Sequence, residues 1–373
     1  MKTLLFSFIL IFSCNVFAQK ENSKQAIFKD SLDQAVDISD WLLTKKGVLV
    51  VPTIITEPAL GFGLAGGAIY FHNSYTAKNG PPSMTGVLGG GTQNGTWMAG
   101  VFHAGFWKHD HIRYLGAVAR TSANFAFYGS GDLGLTDQLS VNLNLDAWVT
   151  IQQMKFRISS SDFFLGFKYI YLNTDNTFSA EIQQPGFDGS QFSSVLSEVS
   201  LVTNYDSRNN IFTPSRGFYI ECTGTYSDTW LGSDDLYGRL STTLIGYAPL
   251  SKKIVMGIRQ EDKFTYGAVP FYARPYVSMR GVPLMKYQDN NTILLETEFN
   301  YNVYRRWSLV GFTGMGNAFE DFSSYDKGKS VVSVGTGFRY LLARKLGAQM
   351  GMDFAKSNDD FAFYFVFGTS WLR

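Results

Sequence analysis

From Val48 onward, apolar and polar residues alternate with a period of two. The clearest stretch is Gln138–Gln152. Leu139, Val141, Leu143, Leu145, Ala147, Val149 and Ile151 fall on one face; Asn142, Asn144 and Asp146 fall on the other. Successive side chains of an extended chain point to opposite sides, so seven apolar residues in strict alternation predict a strand of about 14 residues. Strands in soluble sheets usually run about five or six residues, whereas a strand crossing a bilayer at a tilt needs about nine to eleven. Similar rows recur at Phe163, Leu165, Phe167, Tyr169 and Tyr171, at Ile293, Leu295, Thr297, Phe299, Tyr301 and Val303, and at Phe361, Phe363, Phe365 and Phe367.

Segmenting the chain by this rule predicts sixteen strands. They start near Val48, Gly61, Thr85, Gly95, Ile112, Gln138, Asp162, Ser193, Gly217, Asp235, Ile254, Asn290, Trp307, Ser330, Leu346 and Phe361. Turn chemistry separates them, as at Asn94-Gly95, Lys108-His109-Asp110-His111, Gly129-Ser130-Gly131-Asp132 and Pro249-Leu250-Ser251-Lys252. About 325 residues leave roughly ten in strand and ten in connection per repeat, the rhythm of an outer-membrane barrel. An even count returns both ends to the periplasm. A secreted β-sandwich or β-helix also alternates, but sandwich strands are shorter and their outer faces polar. Here one face is apolar or aromatic and the other small or polar, as in Gly61, Gly63, Ala65 and Gly67. The expected fold is all-β: a transmembrane antiparallel β-barrel of about 16 strands over residues 48–373.

Residues 1–18 read as a signal peptide: Lys2, an apolar run Leu4–Phe12, and the small residue Ala18 before the cut. A lipoprotein cut before Cys14 is the rival, opposed by the bulky Phe12. Residues 19–47 form a short polar periplasmic segment, at most a short helix or tether. Its weak amphipathic stripe is Leu32, Val36 and Leu43 with Trp41 and Leu42. After the signal no window approaches 18 uninterrupted apolar residues, so membrane-spanning helices are excluded. Without residues 1–18 the chain carries 31 basic and 31 acidic residues, and Cys222 stands alone, so no intramolecular disulfide forms.

Composition fits this reading. Charged residues are 17% and aromatics 16%, and mean hydropathy is near zero, the average of two unlike faces. The charge balance leaves no basic excess for nucleic acid. Gly61-Phe62-Gly63-Leu64-Ala65-Gly66 matches a dinucleotide fingerprint, but that motif needs a helix after it and here a strand continues. His109 and His111 flank Asp110 in what reads as a solvated turn, with no third metal ligand. No cofactor, metal or catalytic residue is assigned. The longest connection, Gly267–Asp289, holds Pro270, Arg274, Pro275, Met279-Arg280-Gly281-Val282-Pro283 and Tyr287. A long structured loop among short ones is usually functional.

Three blocks of this sequence resemble the BamA/TamA superfamily, the bacterial surface antigen barrels. They are Asn204-Tyr205-Asp206-Ser207-Arg208-Asn209-Asn210 with Pro214-Ser215-Arg216-Gly217, then Met279-Arg280-Gly281-Val282, then Glu298 with Phe312-Thr313-Gly314-Met315-Gly316-Asn317. Gly337-Phe338-Arg339-Tyr340 and Asp353-Phe354-Ala355 resemble the last strands. The resemblance spans roughly Val48 to Gly368. It implies that the loop between strands 11 and 12 folds into the lumen, with Arg280 and Gly281 as its motif. Alternation then offers Glu296, Glu298 and Asp353 as inward partners of Arg280, since a buried cation needs a counter-charge.

Two departures stand out: Val282 replaces an aromatic, and Gly314 replaces an acid, so that Arg280 either turns to Glu298 or is held more weakly. The segment before Val48 is too short for the periplasmic POTRA module of the family, which captures client strands. Pro52, which removes a ladder donor, and Gly368, which permits a bend, mark the seam between strands 1 and 16 as short and weak. Phe363, Phe365, Phe367 and Trp371 stand as the row that insertion machinery would read.

The resulting expectation is an integral barrel of the Gram-negative outer membrane, embedded in its lipid. It assists protein insertion or translocation with a periplasmic or POTRA-bearing partner. A passive small-solute pore, suggested by Asn142, Asn144 and Asp146 as an inner row, is one alternative. A scaffold for surface proteins is another.

Overall fold

The computed structural model describes residues 28–44, 48–57, 59–72, 82–128, 140–178, 191–358 and 360–371. A short helix, α1 (Ser39–Thr44), precedes β1 (Val48–Ile55), β2 (Gly63–Phe71), β3 (Met84–Thr92), β4 (Trp97–Trp107), β5 (Ile112–Tyr128), β6 (Ser140–Arg157), β7 (Phe163–Phe178) and β8 (Gln191–Asp206). Then follow β9 (Gly217–Ser227), β10 (Tyr237–Pro249), β11 (Ile254–Gly267), β12 (Asn291–Tyr304), β13 (Trp307–Phe319), β14 (Lys329–Ala343), β15 (Ala348–Ser357) and β16 (Asp360–Phe367). Every expected strand start falls within about two residues of an observed one. The signal peptide at 1–18 and the turn at 129–132 lie outside the described residues.

Each strand pairs antiparallel with the next, in one 16-stranded sheet whose order is the chain order. The sheet curls until β1 and β16 touch, yet they remain its two ends, and among the described residues no ladder joins them. It is a nearly closed barrel. Its outer face carries an exposed apolar belt that includes Leu64, Val87, Val101, Phe167, Leu201 and Leu309, as a lipid-facing surface requires.

β5 to β8 outgrow this belt, with 16 to 18 residues each. Beyond it their outer faces are polar: Asn144 Nδ2 donates to Asn124 Oδ1 at 2.7 Å, and Ser193 Oγ to Asp175 Oδ1 at 2.5 Å. Here the expected inner row is reversed. Asn142, Asn144 and Asp146 share the outer face with the half-exposed Trp148. Leu143 turns inward onto Phe125, Phe178 and Met285. The strands leave the belt, so their outer side meets water, while the 268–290 connection covers their inner side.

The segment before β1 is likewise held by other residues than expected. Leu32 and Val36 are 75% and 58% exposed, and carboxylates dock the chain instead. Arg306, in the β12–β13 turn, donates to both oxygens of Asp33 at 2.6 and 2.9 Å and to Asp37 Oδ2 at 2.7 Å. Asp30 accepts from both Arg306 and Arg344, the latter in the β14–β15 turn. Ile38 and Trp41 pack with Leu49 of β1 and Leu346, so the segment straps together both sides of the β1–β16 junction.

In the Lys108–His111 turn Lys108 and both histidines are exposed, as expected of a solvated turn, but Asp110 is not. Asp110 is 8% exposed and accepts from Arg113 at 2.7 Å and Arg157 at 2.5 Å. Those two guanidiniums lie 4.2 and 4.4 Å from the Phe164 ring centroid, and two enclosed cations need a carboxylate between them. The Gly61–Gly66 fingerprint leads straight into β2 with no helix after it.

Candidate functional site

The β11–β12 connection, residues 268–290, is fixed along its length by inner-face residues. Tyr272 Oη and Ser194 Oγ of β8 share a hydrogen bond of 2.5 Å. Arg239 Nη1 of β10 donates to Ala273 O at 3.0 Å. Val277, Met279 and Val282 pack on Leu294, Ala318 and Val331 of β12–β14. Further on, the Leu284 N–H donates to Glu57 at 2.9 Å, and Lys286 Nζ to Asp360 of β16 at 2.7 Å.

At its middle Arg280 is only 2% exposed. Nη1 donates to Glu298 Oε2 at 2.7 Å and to Asp353 Oδ2 at 2.8 Å. Its guanidinium carbon lies 3.5 Å from the Phe312 ring centroid, a cation–π contact. Glu296 stands 3.8 Å from Nε, at ion-pair distance only, because its hydrogen bond goes to Arg259 Nη1 at 2.6 Å. The structure thus brings Arg280 together with all three carboxylates considered for it.

It also adds two arginines that sequence reasoning missed. Arg259 is the register partner of Glu296 across β11 and β12. Arg339 of β14 holds both oxygens of Asp353 at 2.6 and 2.9 Å. The signal for Arg259 was inward parity plus direct register; Arg339 stands opposite Gly351 and reaches Asp353 on the diagonal of the same face.

Gly281 takes φ +82°, and an added Cβ would stand 3.0 Å from Ala355 Cβ, so the bend suits glycine alone. Its N–H donates to Tyr364 Oη at 2.9 Å, and its carbonyl accepts from Ser357 Oγ at 2.5 Å. The Arg280 carbonyl accepts from Ser333 Oγ. The Arg-Gly pair is therefore gripped by β14, β15 and β16. The glycine at 314 has a steric reason: a Cβ there would lie 2.7 Å from Glu296 Cγ and 2.9 Å from Met279 Sδ. Glu296 already fills the space an acid from β13 would need. Val282 sits 4% exposed in the apolar cluster.

Gly368, at φ +75°, turns the chain inward after β16. Ser370 Oγ then donates to Asp353 Oδ2 at 3.1 Å and accepts from Arg339 Nη2 at 3.1 Å and Arg280 Nη1 at 3.4 Å. Trp371, expected in the outward aromatic row, packs instead on Tyr247 at 7% exposure. The turn at Gly368 sends it to the opposite face. Pro52 lies mid-β1 opposite Gly66 of β2, and the other edge of β1 carries no ladder. Amides of 48–55 are expected to exchange with deuterium faster than those of β6 or β7. Equal protection by exchange mass spectrometry would contradict an open junction.

The β8–β9 turn contributes a last element. Asp206 accepts from Arg208 Nε at 2.8 Å and Arg113 Nη1 at 2.7 Å. Asn209 Oδ1 accepts from the N–H groups of Ser215 and Arg216. Asn210 Nδ2 donates to Leu346 O at 2.8 Å, and Phe212 meets Phe367 edge to face at 6.3 Å. The turn thus reaches across the barrel to the β14–β15 turn and β16.

Residues 99–281 match the Omp85 superfamily domain, a stretch running from β4 to the Arg280-Gly281 pair. Among solved structures, BamA from Haemophilus ducreyi lacking POTRA domains 1-3 superposes with a TM-score of 0.58 at 13% identity, over 87% of this chain and 70% of that one. CdiB from Escherichia coli gives 0.58 at 10% identity, over 86% of this chain and 62% of that one. CdiB from Acinetobacter baumannii gives 0.56 at 9%, over 86% and 59%. The chain therefore spans less than two thirds of either CdiB chain, and identities this low speak for the fold. No curated protein matches the sequence. A sixteen-stranded β-barrel that carries an Omp85 superfamily domain over residues 99–281 is what the chain shows.

Proposed function

We propose that this barrel assists insertion or translocation of proteins at the outer membrane of a Gram-negative bacterium, together with a partner protein on the periplasmic side. The observation that carries this reading is the coupling of the Arg280 cluster to the unpaired junction. The 268–290 connection is gripped by β14–β16, and Ser370 joins the same cluster, next to a β1 edge that carries no ladder among the described residues. A free strand edge offers its N–H and C=O groups to an incoming strand. The likeness to BamA and CdiB barrels supports the same reading. No step of it calls for catalysis.

The passive pore loses the support it drew from Asn142, Asn144 and Asp146, which face outward. The scaffold reading gains one observation, the polar outer faces of the projecting β5–β8 hairpins.

Isolation of the tagged protein from mildly solubilised membranes, followed by mass spectrometry, is expected to recover a periplasmic or assembly partner. Conductance in planar bilayers is expected to be small and intermittent. Recovery of surface proteins alone would favour the scaffold, and a large steady conductance with no partner would overturn the proposal in favour of the pore.

A further inference from the structure

Between the β6–β11 wall and the first half of the 268–290 connection lies a cavity of about 440 Å³, within the range of small-ligand sites. One side of it is aliphatic: Val149, Ile170, Leu172 and Leu196. Barrel interiors are ordinarily polar, so an aliphatic inner wall needs an explanation. The inward row of β6 is covered at Leu143 by Met285 and Phe178. Farther along, Val149 and Ile170 are only half-buried, and the cavity is what faces them.

The other side carries charge. Lys168, Arg239, Lys263 and Arg274 line it, against Glu198 and Glu221. Both carboxylates are already engaged. Glu198 Oε1 accepts from Arg239 Nη2 at 2.6 Å and Tyr237 Oη at 2.5 Å. Glu221 Oε2 accepts from Lys155 Nζ at 3.0 Å and Tyr219 Oη at 2.6 Å. Lys263 pairs with Glu261 at 2.8 Å. Among the described residues, Lys168 makes no hydrogen bond or ion pair. A partly enclosed ammonium beside an apolar wall favours an anion from outside the chain.

We propose that this cavity binds an amphiphilic anion: a single acyl chain along Val149, Ile170 and Leu172, with its carboxylate or phosphate head on Lys168. The site goes beyond the insertion reading and does not depend on it. Either head group satisfies the geometry, so both are tested.

The full-length protein in a non-ionic detergent would be titrated with palmitate, 1-palmitoyl-lysophosphatidate, hexadecanol and inorganic phosphate, and labelled with a photoactivatable palmitate. Saturable binding of palmitate or lysophosphatidate is expected, with label on peptides holding Ile170, Leu172 or Leu196. Lys168→Gln is expected to weaken that binding tenfold or more, and Leu172→Asn to weaken it also, with heat-modifiable migration confirming that both barrels fold. Lys252→Gln, in the β10–β11 turn, is the unaffected control. Binding unchanged in Lys168→Gln, hexadecanol or phosphate binding as tightly as the acyl anions, or label confined to the outer belt around Phe167 and Leu201 would each overturn the proposal. None of these outcomes bears on whether a partner protein is recovered, so the two proposals fail separately.

Discussion

Replacing Arg280 with alanine is expected to free the middle of the 268–290 connection while leaving the sheet assembled. The guanidinium holds Glu298 and Asp353 and covers the Phe312 ring from a site 2% exposed. Removing one partner of a buried ion pair typically costs about 3–5 kcal/mol. The lower end applies, because Asp353 keeps Arg339 and Glu296 keeps Arg259. Arg280→Lys retains the charge but lacks the flat guanidinium that stacks on Phe312 while Nη1 reaches both carboxylates, so rescue is expected to be partial. Limited proteolysis within 268–290 should become rapid, the denaturant midpoint should fall, and bilayer conductance should rise and grow irregular. Proteolysis and conductance both unchanged would remove Arg280 from the site.

The second large effect is expected at Arg306. In Arg306→Ala the strap of residues 28–44 loses the one group that joins Asp30, Asp33 and Asp37. Cleavage within 28–44 is then expected at protease levels that spare the native strap, with the strand signal of the barrel unchanged. Acid should have the same effect. Hydrogen bonds from Arg344 hold Asp30 well below the ordinary aspartate value, and those from Arg306 lower Asp33. Burial pushes Asp37 up, but hydrogen bonds from Ser39, the Arg344 N–H and Arg306 outweigh it and leave it lowered.

A carboxylate whose folded pKa is depressed stabilises the folded form above its unfolded value, and that contribution is lost as pH falls through the folded value. The strap should therefore stay docked at neutral pH and loosen only below about pH 4, the unfolded aspartate range. Salt should matter little, since Arg306 and Asp30 are each 3% exposed at the side chain and so weakly screened. Residues 28–44 as protected in Arg306→Ala as in the parent, by hydrogen exchange at pH 7, would sink this account.

The strands were legible because alternation is a direct image of the pleat. What alternation does not carry is which face is inside. In β6 the apolar row from Leu143 to Val149 faces inward, onto Met285 and the cavity, while Asn142, Asn144 and Trp148 share the outer face. Glu298 and Asp353 were readable as inward partners of Arg280 because parity carries along each strand. Arg259 and Arg339 were missed because they enter through register between strands, which a strand-by-strand reading leaves out. Trp371 was misplaced for a local reason: the positive φ at Gly368 ends the strand and turns the chain inward, so both Ser370 and Trp371 pack inside and strand parity no longer applies. The strap was hidden because its anchors are aspartates spaced three and four apart, which look like a solvated surface until Arg306 and Arg344 are placed beneath them.

The β8–β9 turn has a mechanical consequence. A hoop with a single cut in its rim has two ways to yield: its ends separate, or it flattens into an oval. Asn210 and Phe212 span the mouth of the barrel from β8–β9 to Leu346 and Phe367, on the rim that carries the strap. They act as a chord, and a chord resists flattening. On that rim the mouth keeps its roundness, so any parting of β1 from β16 is easiest at the opposite rim, and the gap tapers to nothing at the chord.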